Sequence, residues 1–118
     1  MAEREPRTFY RIVGGDPPTE RDFLSYKALG KPLRSAKPTR AQIAAWEAVS
    51  TYATEYEARK RLEINAELGF PLGDFIAKLV IPENATITIG PINEKTGHCD
   101  LTGEASALLV VVVLVVKA

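Results

Sequence analysis

Residues 105–116 read Ala-Ser-Ala-Leu-Leu-Val-Val-Val-Val-Leu-Val-Val, twelve positions without a charge. A helix that crosses a bilayer needs about 20 such residues, so the run is too short to span. Valines fill 110–113 and 115–116. Branching at Cβ restricts their χ1 and favours extended backbone over helix. The run Ala105–Val116 is therefore predicted to be an interior strand buried on both faces, and not a membrane anchor.

A chain of 118 residues that buries such a strand has the size of one domain. Its composition, 46% hydrophobic and 25% charged, is that of a soluble globular protein. Fifteen basic residues balance fifteen acidic ones, so no global cationic field exists to neutralise a nucleic-acid backbone. Cys99 is the one cysteine, which excludes an intramolecular disulfide and suits a reducing, cytoplasmic setting. The charged start of the chain, Met1 to Thr8, has no apolar run behind it and does not read as a signal peptide.

Residues 1–7 are expected to form a flexible tail and 8–118 a single α+β domain. Thr8–Val13 has strand composition and ends at Gly14-Gly15, a turn. On that strand Phe9, Arg11 and Val13 share a face. Thr19 with Asp22 resembles a capping box, and predicts a helix from Glu20 to Leu29, stopped by Gly30, with Phe23, Leu24 and Ala28 inward. Residues 31–38 form a polar loop. Thr39 with Gln42 caps a short helix with Ile43 and Trp46 inward. Residues 49–53 form a strand. Thr54 with Glu57 caps a third helix, ended by Gly69, with Glu55–Arg59 and Glu57–Arg61 as pairs four apart and Ala58, Leu62 and Ala66 buried. Asp74–Ile81 is the strongest strand and stops at Pro82; Thr86–Ile89 is another with one wet face. Asn93–Gly97 is a turn, and 98–104 reads as polar and irregular. The pattern predicts a largely antiparallel sheet with two or three helices.

Motifs for several chemistries are missing. The sequence holds no P-loop, no GxGxxG and no paired-cysteine zinc pattern. His98 and Cys99 are adjacent, but neighbours on an extended segment point to opposite sides. A metal would have to use the single histidine with Asp100 or Glu104, and none is expected. What remains is Arg11 on the first strand, Ser50-Thr51-Tyr52 on a middle one, and Asp100 and Glu104 before the last. An arginine grips phosphate bidentately. A hydroxyl orients neighbouring groups or a ribose. A carboxylate accepts hydrogen bonds from ribose and stabilises positive charge developing there. Together they suit a dinucleotide. On their strand Ser50 and Tyr52 share one face and Thr51 takes the other, so Ser50 and Tyr52 are the hydroxyls expected to face a ligand.

The Phe9-Tyr-Arg11 strand, the Ser50-Thr51 pair and a late acidic residue resemble the Arg–Ser–Glu pattern of the ADP-ribosyltransferase-like superfamily. The segments FYRIV, DPPTERDF, VSTYATEYEAR and GHCDLTGEASALL also resemble small bacterial proteins of similar layout. The superfamily's glutamate usually sits in a Glu-x-Glu pair; here Asp100 and Glu104 stand four apart. The resemblance implies NAD or a related nucleotide as ligand. Arg11 would hold phosphate, Ser50 and Tyr52 would position the nicotinamide end with Asp100 alongside, and His98 and Glu104 would contact ribose as the catalytic pair. The alternative is a non-catalytic structural or interaction module that meets a partner protein.

Overall fold

A computed structural model describes residues 7–33, 36–69 and 72–118. It is an α+β fold, with six strands in one antiparallel sheet and short helices against it. In chain order the elements are β1 (Arg7–Val13), a 3-10 helix (Glu20–Phe23), α1 (Arg40–Glu47), β2 (Val49–Tyr52), α2 (Glu55–Glu67), β3 (Phe75–Ile81), β4 (Thr88–Ile89), β5 (His98–Thr102), α3 (Ala105–Val110) and β6 (Val112–Lys117). Across the sheet the order is β4-β5-β2-β1-β3-β6. Arg7, assigned above to the tail, is the first residue of β1; the rest of that tail lies outside the described residues. Among the described residues no helix is long and apolar enough to cross a membrane.

Alternation along the strands divides the two faces. Phe9, Val13, Val49, Leu79, Cys99 and Leu101 fill one side, where Phe23 of the 3-10 helix and Leu108 of α3 close the core. The opposite face carries a smaller cluster of Tyr52, Ala58 and Ile76 beneath α2. Burying a large aliphatic or aromatic side chain is worth about 1.5–3 kcal/mol, so the first cluster dominates. Thr51 is the one polar residue fully buried among the described residues, and its hydroxyl donates to the Cys99 carbonyl at 2.7 Å. Cys99 points into the core and His98 away from it.

Local signals fix the caps. Thr39 Oγ1 accepts from Gln42 N at 3.1 Å, and Gln42 Oε1 accepts from Thr39 N at 2.8 Å. Thr54 Oγ1 accepts from Glu57 N at 3.1 Å and donates to the Glu57 carboxylate at 2.8 Å. Gly69 follows α2 at φ +84°, a left-handed conformation that favours glycine. Glu55 pairs with Arg59 at 3.0 Å, whereas Glu57 turns to Thr54, and no Glu57–Arg61 pair forms. Of the stripe expected on α2 only Ala58 is fully buried; Leu62 is half-buried and Ala66 exposed, because α2 overhangs the sheet beyond its first turns.

Four expectations about the elements are corrected. The run 105–116 is not one strand buried on both faces. Twelve extended residues would outrun the seven of β3, at roughly 3.3 Å each. The first six instead coil into α3, which tucks Leu108 into the core, and the remainder forms an edge strand whose Val113 and Leu114 are 60% and 52% exposed. The helix expected over 20–29 is a single 3-10 turn ending at Phe23. Leu24 is extended, and Ser25 begins a tight turn in which its Oγ accepts from Ala28 N at 3.1 Å. That bond has the form of a helix cap, and Leu29 N donates to the Ser25 carbonyl at 2.9 Å, but the turn ends at once at Gly30, φ +77°, and Ala28 is exposed. Residues 98–104 are not irregular: His98–Thr102 is a full strand paired with β2. The strand at 86–89 is reduced to Thr88–Ile89, the blunt other edge.

Candidate functional site

The strands β1 and β3 pair at seven positions, and β2 and β5 at four, but β1 and β2 meet only at Tyr10↔Tyr52. Beyond that pair β1 and β2 part, and the Arg11 side chain fills the gap. Its Nε donates to the Asp22 carbonyl and its Nη1 to the Ser50 carbonyl, both at 2.7 Å. The guanidinium also lies 5.9 Å from the Phe23 ring centroid. An arginine in line with Phe9 and Val13 needs a partner in place of water, and two main-chain carbonyls supply it. Neither Asp100 nor Glu104 does. Burial draws the Arg11 guanidinium below its ordinary pKa, with the Asp22 carboxylate acting in the opposite sense. Among the described residues Nη2 meets no acceptor.

This parting opens into a cleft of about 510 Å³. One wall is the β1–β2 gap with Arg11, Ser50 and Tyr52. A second is the later half of α2, where Arg61 and Asn65 stand four apart on one face. The third is the segment 24–31 with Ser25, Tyr26 and Lys31. That segment is fastened to α1, since Trp46 Nε1 donates to the Lys31 carbonyl at 2.7 Å and Lys27 N to the Trp46 carbonyl at 3.1 Å. Three cationic side chains therefore line the cleft, and no carboxylate does among the described residues. In a chain with formal charge zero, that is a local segregation of charge.

Ser50 Oγ leads out of the cleft to a second group. It lies 3.1 Å from His98 Nε2, and the same nitrogen is 3.3 Å from Asp100 Oδ1. The pairings Ser50↔Asp100 and Tyr52↔His98 across β2 and β5 bring these side chains to one face. The Tyr52 ring meets His98 edge-on, with centroids 5.7 Å apart. Partial burial pushes the Asp100 carboxyl up, and His98 pulls it the other way. The turn before β5 holds His98 in register: Asn93 Oδ1 accepts from Lys95 N and Thr96 N, and Gly97 closes it at φ +72°, where any Cβ would run into the Glu57 carboxylate.

The chemistry of this second group is limited by one atom. A serine–histidine–aspartate relay uses both ring nitrogens, one toward the hydroxyl and the other toward the carboxylate. Here both oxygens share Nε2. With its proton on Nε2 facing Asp100, the imidazole has no lone pair there for the Ser50 hydroxyl proton, and in that tautomer the group orients polar atoms.

Of the expected site residues, Arg11, Ser50 and Tyr52 lie together in the cleft, and His98 and Asp100 stand beside Ser50. Glu104 precedes α3 and lines a separate cavity of about 140 Å³ with Glu47 and Phe23; Leu24, Ser25 and Val49 form the wall common to both. Lys31, Arg61 and Tyr26 belong to the cleft without any local signal in the sequence. Arg61 reads as a helix-surface ion-pair partner and Lys31 as loop. Among the described residues no cluster of three or more histidine, cysteine or acidic side chains could hold a metal ion. Comparison with protein-family models, with curated proteins and with solved structures finds no match for this chain.

Proposed function

We propose that the chain binds a small phosphorylated ligand, a nucleotide such as NAD, in the cleft between β1, β2 and α2. The observation that carries this reading is the convergence of Arg11, Lys31 and Arg61 on one concavity lined by no described carboxylate. Three like charges gathered at one cleft repel one another, and an anion relieves that cost. Its volume lies in the range that small ligands fill, roughly 300–1,000 Å³. The hydroxyls of Ser25 and Ser50 and the amide of Asn65 add neutral hydrogen-bonding groups for the rest of the ligand. Arg11 acts in two ways here: its Nε and Nη1 brace the walls, and Nη2 is left for the ligand.

The reading concerns binding. Glu104, expected as a catalytic residue, faces the neighbouring cavity, so no transfer chemistry is assigned to it. Calorimetric titration with NAD and with AMP tests the reading. Heat that weakens as salt rises, and that falls at least tenfold in affinity in Lys31→Met and Arg61→Met at unchanged melting temperature, supports it. A folded sample that gives no heat with either nucleotide removes it.

A second reading, a protein-interaction module, is favoured by the exposed apolar edge formed by the end of α3 and β6, where Val110, Val113 and Leu114 are 82%, 60% and 52% exposed. Light scattering across a concentration series tests self-association at this edge, and a mass that stays monomeric removes a second copy of the chain as the partner.

A further inference from the structure

We infer that Tyr26 is a stacking platform for an aromatic ring of the ligand, which makes the ligand a nucleotide and not a sugar phosphate. This rests on the anion-binding reading of the cleft and narrows it. Tyr26 lines the cleft but is 58% exposed, a large amount for an aromatic ring in a concave wall. Tyr52, the other aromatic residue lining the cleft among the described residues, is 7% exposed and already meets His98 edge-on, so its ring faces are not open to a ligand.

What covers Tyr26 is replaceable. The Lys31 ammonium lies 5.0 Å from its ring centroid. The Lys31 main chain is fixed, since its N–H donates to the Tyr26 carbonyl at 2.9 Å and its own carbonyl accepts from Trp46. The side chain beyond it is a flexible stem carrying a point charge. A phosphate in the cleft attracts an ammonium more strongly than a ring quadrupole does. Once Lys31 turns to the phosphate, the ring face lies bare inside the same cleft. A base attached to that phosphate would take the place of the ammonium, so one lysine movement would serve both ends of the ligand. Base stacking on an aromatic side chain raises affinity by roughly tenfold or more.

The test compares AMP with ribose 5-phosphate, which carries the phosphate and sugar but no base, on the full chain. Binding is followed calorimetrically and by the emission of Trp46, the single tryptophan, which holds Lys31 through its indole N–H. The wild type is expected to bind AMP about tenfold more tightly than ribose 5-phosphate. Tyr26→Leu should bring the two ligands level by weakening AMP alone, and Tyr26→Phe should keep the preference, both at the parent's melting temperature. Equal wild-type affinity for the two ligands overturns the platform and leaves the anion site standing. The same holds if Tyr26→Leu weakens both ligands alike. If neither ligand binds a folded sample, the platform and the anion site fall together.

Discussion

Arg11 and Ser50, 39 residues apart in sequence, are joined where their strands have stopped pairing: Nη1 of the one donates to the main-chain carbonyl of the other at 2.7 Å. The bond substitutes for a rung of the sheet. It explains how a guanidinium is tolerated in line with Phe9 and Val13, and it ties the stability of the fold to the geometry of the cleft.

Arg11→Lys keeps the charge but loses the planar fork, so one ammonium cannot reach both the Asp22 and Ser50 carbonyls. The Asp22 bond is part-buried and the Ser50 bond exposed, so the loss is expected toward the lower end of the roughly 1–3 kcal/mol that an unsatisfied buried acceptor costs. The variant is expected to melt several degrees lower than the parent and also to bind nucleotide more weakly. A lysine variant with the parent's melting temperature would show that these bonds contribute nothing to the fold.

Thr54 is a cap and lies outside the cleft lining. Thr54→Ala should cost about 1 kcal/mol through loss of the bond from Glu57 N. Nucleotide affinity should stay within twofold of the parent, measured by the same calorimetry. A large affinity loss at constant stability would place Thr54 in the site instead.

The raised Asp100 carboxyl gives a pH dependence of definite sign. Burial is the larger cause, and His98 opposes it. The folded chain holds this proton more tightly than the unfolded chain, whose carboxyl titrates near the ordinary 3.8. As pH rises from that value through the folded one, the native state carries the excess proton, so stability falls across the window. Asp100→Asn removes the titration. Its melting temperature relative to the parent should shift in the variant's favour over that window and hold that constant difference above it. Parallel melting curves at all pH values would contradict this.

The split of residues 105–116 separates two classes of substitution. Leu108 is fully buried, and Leu108→Ala should cost about 2–5 kcal/mol. Val113 is 60% exposed at an irregular point of the β3–β6 pairing, and Val113→Lys should change stability by no more than about 0.5 kcal/mol. Urea denaturation of both variants reads the contrast directly. Comparable losses would restore the interior strand that the valines suggested.

Signals that act over three or four residues were legible in the sequence. The caps at Thr39 and Thr54 and the turn at Asn93 each need only their neighbours. The strand at 98–102 was hidden because its wet face takes His98, Asp100 and Thr102, and three polar residues in five mask an otherwise regular alternation with Cys99 and Leu101. The end of the 3-10 turn was hidden because Leu24 turns extended and Ser25 starts a separate turn, against a helical pattern in Phe23, Leu24 and Ala28. Arg11, Ser50 and Tyr52 stood out as residues and are gathered in the cleft. The meeting of Lys31 and Arg61 with them depends on sheet order and on where α2 overhangs, which no local spacing encodes.

The single Tyr10↔Tyr52 pairing divides the sheet into two leaves, β4-β5-β2 and β1-β3-β6, each internally laddered. Between them run one backbone pairing, the Arg11 rivet and the side chains of one shared core, with α2 laid across the seam. The cleft opens along this seam and takes Arg11 from one leaf and Ser50 and Tyr52 from the other, so whatever fills it touches both leaves at once.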